Sequence, residues 1–198
     1  MRDLIKKILK EIIFTDPDME KFKWRFVQKV KHPDKTTLIH TFVTPKYKYL
    51  VHSEQYENHF YLISFFPKLN KDFYVKNYIK KVKGDPHYDE YTYQTKENMM
   101  IKILSLMAKH MDDIFKNDPD ASFGWYGAAD VKTKDPDQDM IKTRRYDIYN
   151  KLFSDHFKNT HVLKAISEFS GALLLNKEVL KDYPEIEMYG ADILKSHL

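Results

Sequence analysis

Isoleucine and leucine at positions 4, 5, 8, 9 and 12 fall on one stripe of a 3.6-residue turn, so the first thirteen residues read as an amphipathic helix stopped by Asp16-Pro17-Asp18. From Phe22 to Lys31 apolar and polar residues alternate, and Thr36 to Val43 is rich in β-branched side chains. These are paired strands, and His32-Pro33-Asp34-Lys35 between them carries turn chemistry for a hairpin. Tyr47 to His52 reads as a third strand, and the apolar run inside Asn58 to Pro67 as a well-buried fourth. Residues 68 to 86 keep no clean period and read as a basic, aromatic-bearing arm; Tyr88 to Thr95 alternates and reads as a further strand.

The strongest period belongs to residues 96 to 116, where Met100, Ile103, Leu104, Met107, Met111 and Ile114 share one helix face. Asp118-Pro119-Asp120 ends that helix, and Ser122 to Ala128 follows as a short strand whose Gly124 and Gly127 permit close backbone approach. A second long helix spans about residues 137 to 156, burying Ile141, Ile148, Leu152 and Phe153. Thr160 to Ile166 and Gly171 to Leu175 form a closing strand pair, and Pro184 opens a terminal helix. Strands first and helices interleaved later make an α+β fold: a mostly antiparallel sheet packed by two long helices, with further helices at both termini. No linker divides it, so residues 1–198 are read as one domain. The three Asp-Pro-Asp tripeptides share no flanking pattern and serve as turns and caps rather than a repeat.

Composition narrows the function. The absence of cysteine removes disulfides, thiolate ligands and cysteine nucleophiles together, and fits a reducing compartment, so a cytoplasmic location is expected. No leader-like or membrane-length apolar stretch is present. A net charge of +4 is too small to imply nucleic acid unless the basic residues cluster. Aromatics at 15% exceed the demands of one core, which points to rings on a contact face.

Basic residues do cluster. Lys142, Arg144 and Arg145 lie with Tyr146 and Tyr149 near the start of the second long helix, close to Trp125. Guanidinium forks and helix N-terminal amides suit phosphate or carboxylate, and Tyr146, Tyr149 and Trp125 offer faces for stacking. Against this, the arginines have acids such as Asp147 and Asp130 to pair with on a solvated face. Lys76, Tyr78, Lys80 and Lys81 lead a second mixture of charge and rings that suits a polyanion, or that simply guards a sheet edge. Catalytic motifs are weaker. His110, Asp112, Asp113, Asp130, Asp155, His156 and His161 lack metal-ligand spacing; Ser122 lacks the glycine-flanked elbow of a hydrolase; no loop cradles a nucleotide. The acids Asp85, Asp89 and Glu90 around His87 fit a strand edge better than an acid–base group.

Asp118-Pro119-Asp120-Ala121-Ser122-Phe123-Gly124, leading to Thr143-Arg144-Arg145-Tyr146 and Tyr149, resembles a group of small uncharacterised proteins frequent in Bacteroidota genomes. The resemblance covers the C-terminal half, including Leu173-Leu174-Leu175-Asn176-Lys177, and implies an α+β fold and an accessory gene of bacteria or mobile elements, with no site residues carried over. The expected function is non-enzymatic binding of a macromolecular partner, a protein first, through an exposed aromatic and basic surface, with no cofactor and no metal. The alternative is nucleic-acid binding or phosphodiester processing by Arg144 and Arg145. Oligomeric state is left open.

Overall fold

The computed structural model describes residues 24–43, 48–67, 100–126, 144–166 and 171–197, with 66–67, 100–102 and 144–148 entering as backbone. Seven strands form one sheet: β1 (Arg25–Lys31), β2 (Thr36–Val43), β3 (Lys48–Gln55), β4 (Phe60–Pro67), β5 (Ser122–Tyr126), β6 (His161–Ile166) and β7 (Gly171–Asn176), in the order β1-β2-β3-β4-β5-β7-β6. The first four make an antiparallel meander. The His32–Lys35 turn closes its first hairpin with a 2.8 Å bond from His32 N–H to the Lys35 carbonyl. Strand β5 then adds parallel to β4, and β7 returns antiparallel between β5 and β6.

A parallel step needs a crossover, and the strongly periodic segment supplies it as helix α1 (Met100–Asn117) between β4 and β5. Pro119, which has no N–H to donate, follows the last turn at Asp118. Helix α2 (Arg144–Phe157) connects β5 to the edge strand β6. Both helices cover one face: Ile103, Leu104, Met107 and Met111 of α1 and Leu152, Phe153 and Phe157 of α2 pack with Phe42, Val51, Tyr61, Ile63, Phe123 and Leu174. The intervening side chains of β4 and β7, Phe60, Leu62, Leu173 and Leu175, point the other way. They pack under Ile186, Ile193 and Leu194 of α4 (Ile186–Lys195), which follows the short helix α3 (Lys177–Asp182). The sheet is thus sandwiched at its centre, and each fully buried Leu, Phe or Met contributes roughly 1.5–3 kcal/mol.

Helix α3 lies between the expected final strand and the expected terminal helix. Asn176, buried at the end of β7, caps it by accepting from the amides of Glu178 and Val179, and its side-chain amide donates to the Pro119 carbonyl at 2.7 Å. The expected N-terminal helix, the 68–86 arm, the 88–95 strand and residues 137–143 of the second helix lie outside the described residues.

Candidate functional site

Two rings placed on the binding surface from sequence are corrected by the fold. Trp125 is 5% exposed and meets Phe153 edge-on at 4.9 Å, and Tyr149, also 5% exposed, joins the same core cluster. Strand β5 is central, with a helix layer over each face, so its three aromatic side chains are used in packing. The backbones of Arg144, Arg145 and Tyr146 fall in the first turn of α2. Lys142, Lys76, Tyr78, Lys80 and Lys81 lie outside the described residues.

An exposed aromatic and basic surface exists elsewhere, along β1. Among the described strands this one ends the sheet, and six of its seven residues are exposed. Phe26 is 59% exposed and Val27 51%, flanked by exposed Arg25, Lys29 and Lys31, and the strand carries no acidic residue. Among the described residues none of the three cations has a carboxylate partner. The register skips at Val27, a β-bulge between the pairs Phe26–His40 and Gln28–Ile39. Phe26, Lys29 and Lys31 stand opposite His40, Leu38 and Thr36, alternate residues of β2, and so share one face. The signal was readable in Lys21 to His32, which holds Lys21, Lys23, Arg25, Lys29 and Lys31 without one acid.

Beneath β1 lies a buried polar knot. Ser53 Oγ and His110 Nε2 are 2.6 Å apart, and the His110 ring packs against His40 and the half-buried Trp24 at 4.7 and 4.9 Å. The spacing is that of a nucleophile and its base, but Ser53 is fully buried and His110 nearly so. Burial, reinforced by the neighbouring His40 and only partly opposed by Asp113, lowers the His110 pKa to about 3. The pair is a neutral hydrogen bond tying α1 to β3.

Two further groups join distant segments. Glu54 Oε2 accepts from Lys35 Nζ at 2.8 Å and Tyr56 Oη at 2.9 Å, and pairs with His197 Nε2 at 3.0 Å, binding the C-terminal end of the chain to the meander. Burial raises the Glu54 pKa, but the bonds from Lys35 and Tyr56 and the charges of Lys35 and His197 outweigh it, and the net shift is downward. Asp118 meets His59 Nδ1 at 2.8 Å through one carboxylate oxygen and accepts from Tyr61 Oη at 2.7 Å through the other. A carboxylate fixing a half-exposed imidazole can orient a proton carrier; here it also locks the β3–β4 turn to the α1–β5 turn. His156, a candidate ligand from sequence, pairs with Asp112 at 2.8 Å between α2 and α1. Among the described residues no three His, Asp or Glu side chains group to hold a metal ion, and no helix is long and apolar enough to cross a membrane.

No family model, curated protein or solved structure matches this chain, so a functional reading stands on its own residues.

Proposed function

We propose that this chain is a non-enzymatic binding protein that engages a macromolecular partner along β1. The observation that carries the reading is the coincidence, on an edge strand, of two large exposed apolar side chains with three cations and no acid. Adjacent apolar side chains at more than half exposure gain nothing for the fold, and aromatic residues with arginine are enriched at recognition surfaces. Ser53 and His110, which have the spacing of a nucleophile and its base, lie sealed in the core and so offer no accessible nucleophile.

A photo-crosslinking amino acid at position 26 tests this in the native host. A discrete adduct is expected that disappears when Arg25→Glu, Lys29→Glu and Lys31→Glu are combined. The same probe at Met188, which is 66% exposed on α4, should give no such adduct. An adduct at position 26 indifferent to the three charge reversals, or matched at position 188, removes β1 as the binding surface.

Nucleic acid is the second reading, favoured by the exposed Phe26 ring among basic residues, an arrangement that suits base stacking beside phosphate contacts. It predicts that the captured species is nuclease-sensitive and that binding falls steeply with salt.

A further inference from the structure

The chemistry of β1 goes beyond a generic patch, because an edge strand offers backbone as well as side chains. Among the described residues only β2 pairs with β1, and nothing takes the row of N–H and C=O groups on its outer side. Bulges and lysines are the usual means of blunting such an edge. Here the bulge is confined to Val27, and Gln28, Lys29, Val30 and Lys31 keep four successive regular pairs with Ile39, Leu38, Thr37 and Thr36. A straight template of that length is left on the outside. Blunting also gives no reason to leave Phe26 and Val27 in water.

Charge selects the occupant. A second copy of the chain laid edge to edge would set Arg25, Lys29 and Lys31 against the same three cations, and like charges directly across strands are destabilising. A strand carrying carboxylates meets the opposite situation. Lys29 and Lys31 project from the same face two residues apart, with Phe26 further along that face beyond the bulge. The complementary sequence therefore has acidic residues at alternate positions and an apolar residue at the Phe26 end. A nucleic acid would use the lysines and one ring but leave the outer backbone row unused.

We propose that β1 accepts an extended, acidic segment of a partner protein as an eighth strand of the sheet, held by backbone hydrogen bonds to Gln28–Lys31 and by carboxylates on Lys29 and Lys31. This rests on the reading of β1 as the binding surface and names what binds there. Fluorescence anisotropy of the intact chain with a short peptide of alternating glutamate and valine tests it, against the same peptide with N-methylated alternate amides, a lysine-for-glutamate version and a single-stranded DNA oligomer. The glutamate peptide is expected to bind at low salt and to slow hydrogen exchange in residues 28–31. Each backbone bond removed by N-methylation should weaken binding by roughly threefold to tenfold, and Lys29→Glu with Lys31→Glu should abolish it. Equal binding of the N-methylated peptide, binding of the oligomer without the peptide, or binding of neither would overturn the strand-addition proposal. A charge-dependent crosslink at position 26 persisting in any of those cases leaves β1 as the surface and rejects only this occupant.

Discussion

The ring of Phe60 is held between two glycines contributed by different layers. A Cβ built on Gly124 of β5 would stand 2.7 Å from the ring, and one on Gly190 of α4 would stand 2.7 Å from it and 3.1 Å from Leu173. Phe60 is fully buried, so a ring pushed away from one glycine is driven toward the other. Two effects compete in Gly190→Ala. Alanine in a helix interior gains about 1 kcal/mol of propensity, whereas forcing an extra methyl into a closed core costs about 1–3 kcal/mol. Because the ring has no free side, the cost falls toward its upper end and the clash wins, and urea denaturation should show Gly190→Ala less stable by about 1–2 kcal/mol. A variant as stable as the parent would mean that α4 lifts from the sheet at little cost. Half of this was legible: Gly124, set among apolar strand residues, pointed to a close approach. Gly190 carried no such mark, because the ring it accommodates lies 130 positions away in the chain.

At the scale of elements, local patterns were read where local physics decided them. The hairpin at His32–Lys35, the β4 run and the α1 stripe all follow from turn residues and periodicity, and all appear in the sheet and its crossover. Helix α3 was missed because it is six residues long and none of its own residues is buried; its signal was the capping Asn176. The β3–β4 turn shows how an element can override residue preference. Asn58 and His59 both have positive φ, 54° and 57°, and the Phe60 amide bonds the Glu57 carbonyl, as in a type I′ turn. Glycine is the usual second residue there, and a histidine in this conformation costs about 1–2 kcal/mol. Its ion pair with Asp118 is half in solvent and returns at most about 1 kcal/mol. His59→Gly should therefore leave stability unchanged or raise it by up to about 2 kcal/mol in chemical denaturation. Tyr61→Phe, which deprives the same carboxylate of a donor at the edge of the core, should lose about 1.5–3 kcal/mol. A clear loss in His59→Gly would show the imidazole contributing more than a surface ion pair.

The burial of two expected contact rings and the pH response both come from which groups the sheet encloses. Trp125 and Tyr149 have the composition of a contact face, but a central strand and the inner side of α2 turned them inward, whereas the edge position left Phe26 outside. Sequence shows which residues alternate; strand order, set by long-range pairing, decides which alternation meets water. The same burial fixes the titration. Burial lowers the pKa of His110 to about 3 and also lowers His161 and His40, while the ordinary value of 6.5 applies to them unfolded. Between these limits the unfolded chain binds protons that the native chain refuses, so stability climbs with pH and is complete above about 6.5. Glu54, lowered by its partners, adds the same sign at lower pH: its contribution is present above its ordinary 4.5 and disappears as pH falls further. Tyr56, Tyr61 and Tyr126 are raised, by burial first and then by neighbouring carboxylates. Their contribution is full below the ordinary value of 10 and is lost above it. Maximum stability is accordingly expected between about pH 7 and pH 10, with both flanks falling. At pH 5 the His110 shift alone corresponds to about 2 kcal/mol, at 1.36 kcal/mol for each unit below its unfolded value. Denaturation at pH 5 and pH 7 should show the parent losing about that much or more, and His110→Gln, which keeps a polar partner for Ser53 but cannot be protonated, losing distinctly less. Parallel losses in the two proteins would mean that solvent reaches the Ser53–His110 pair and that the helix layer over β3 is open.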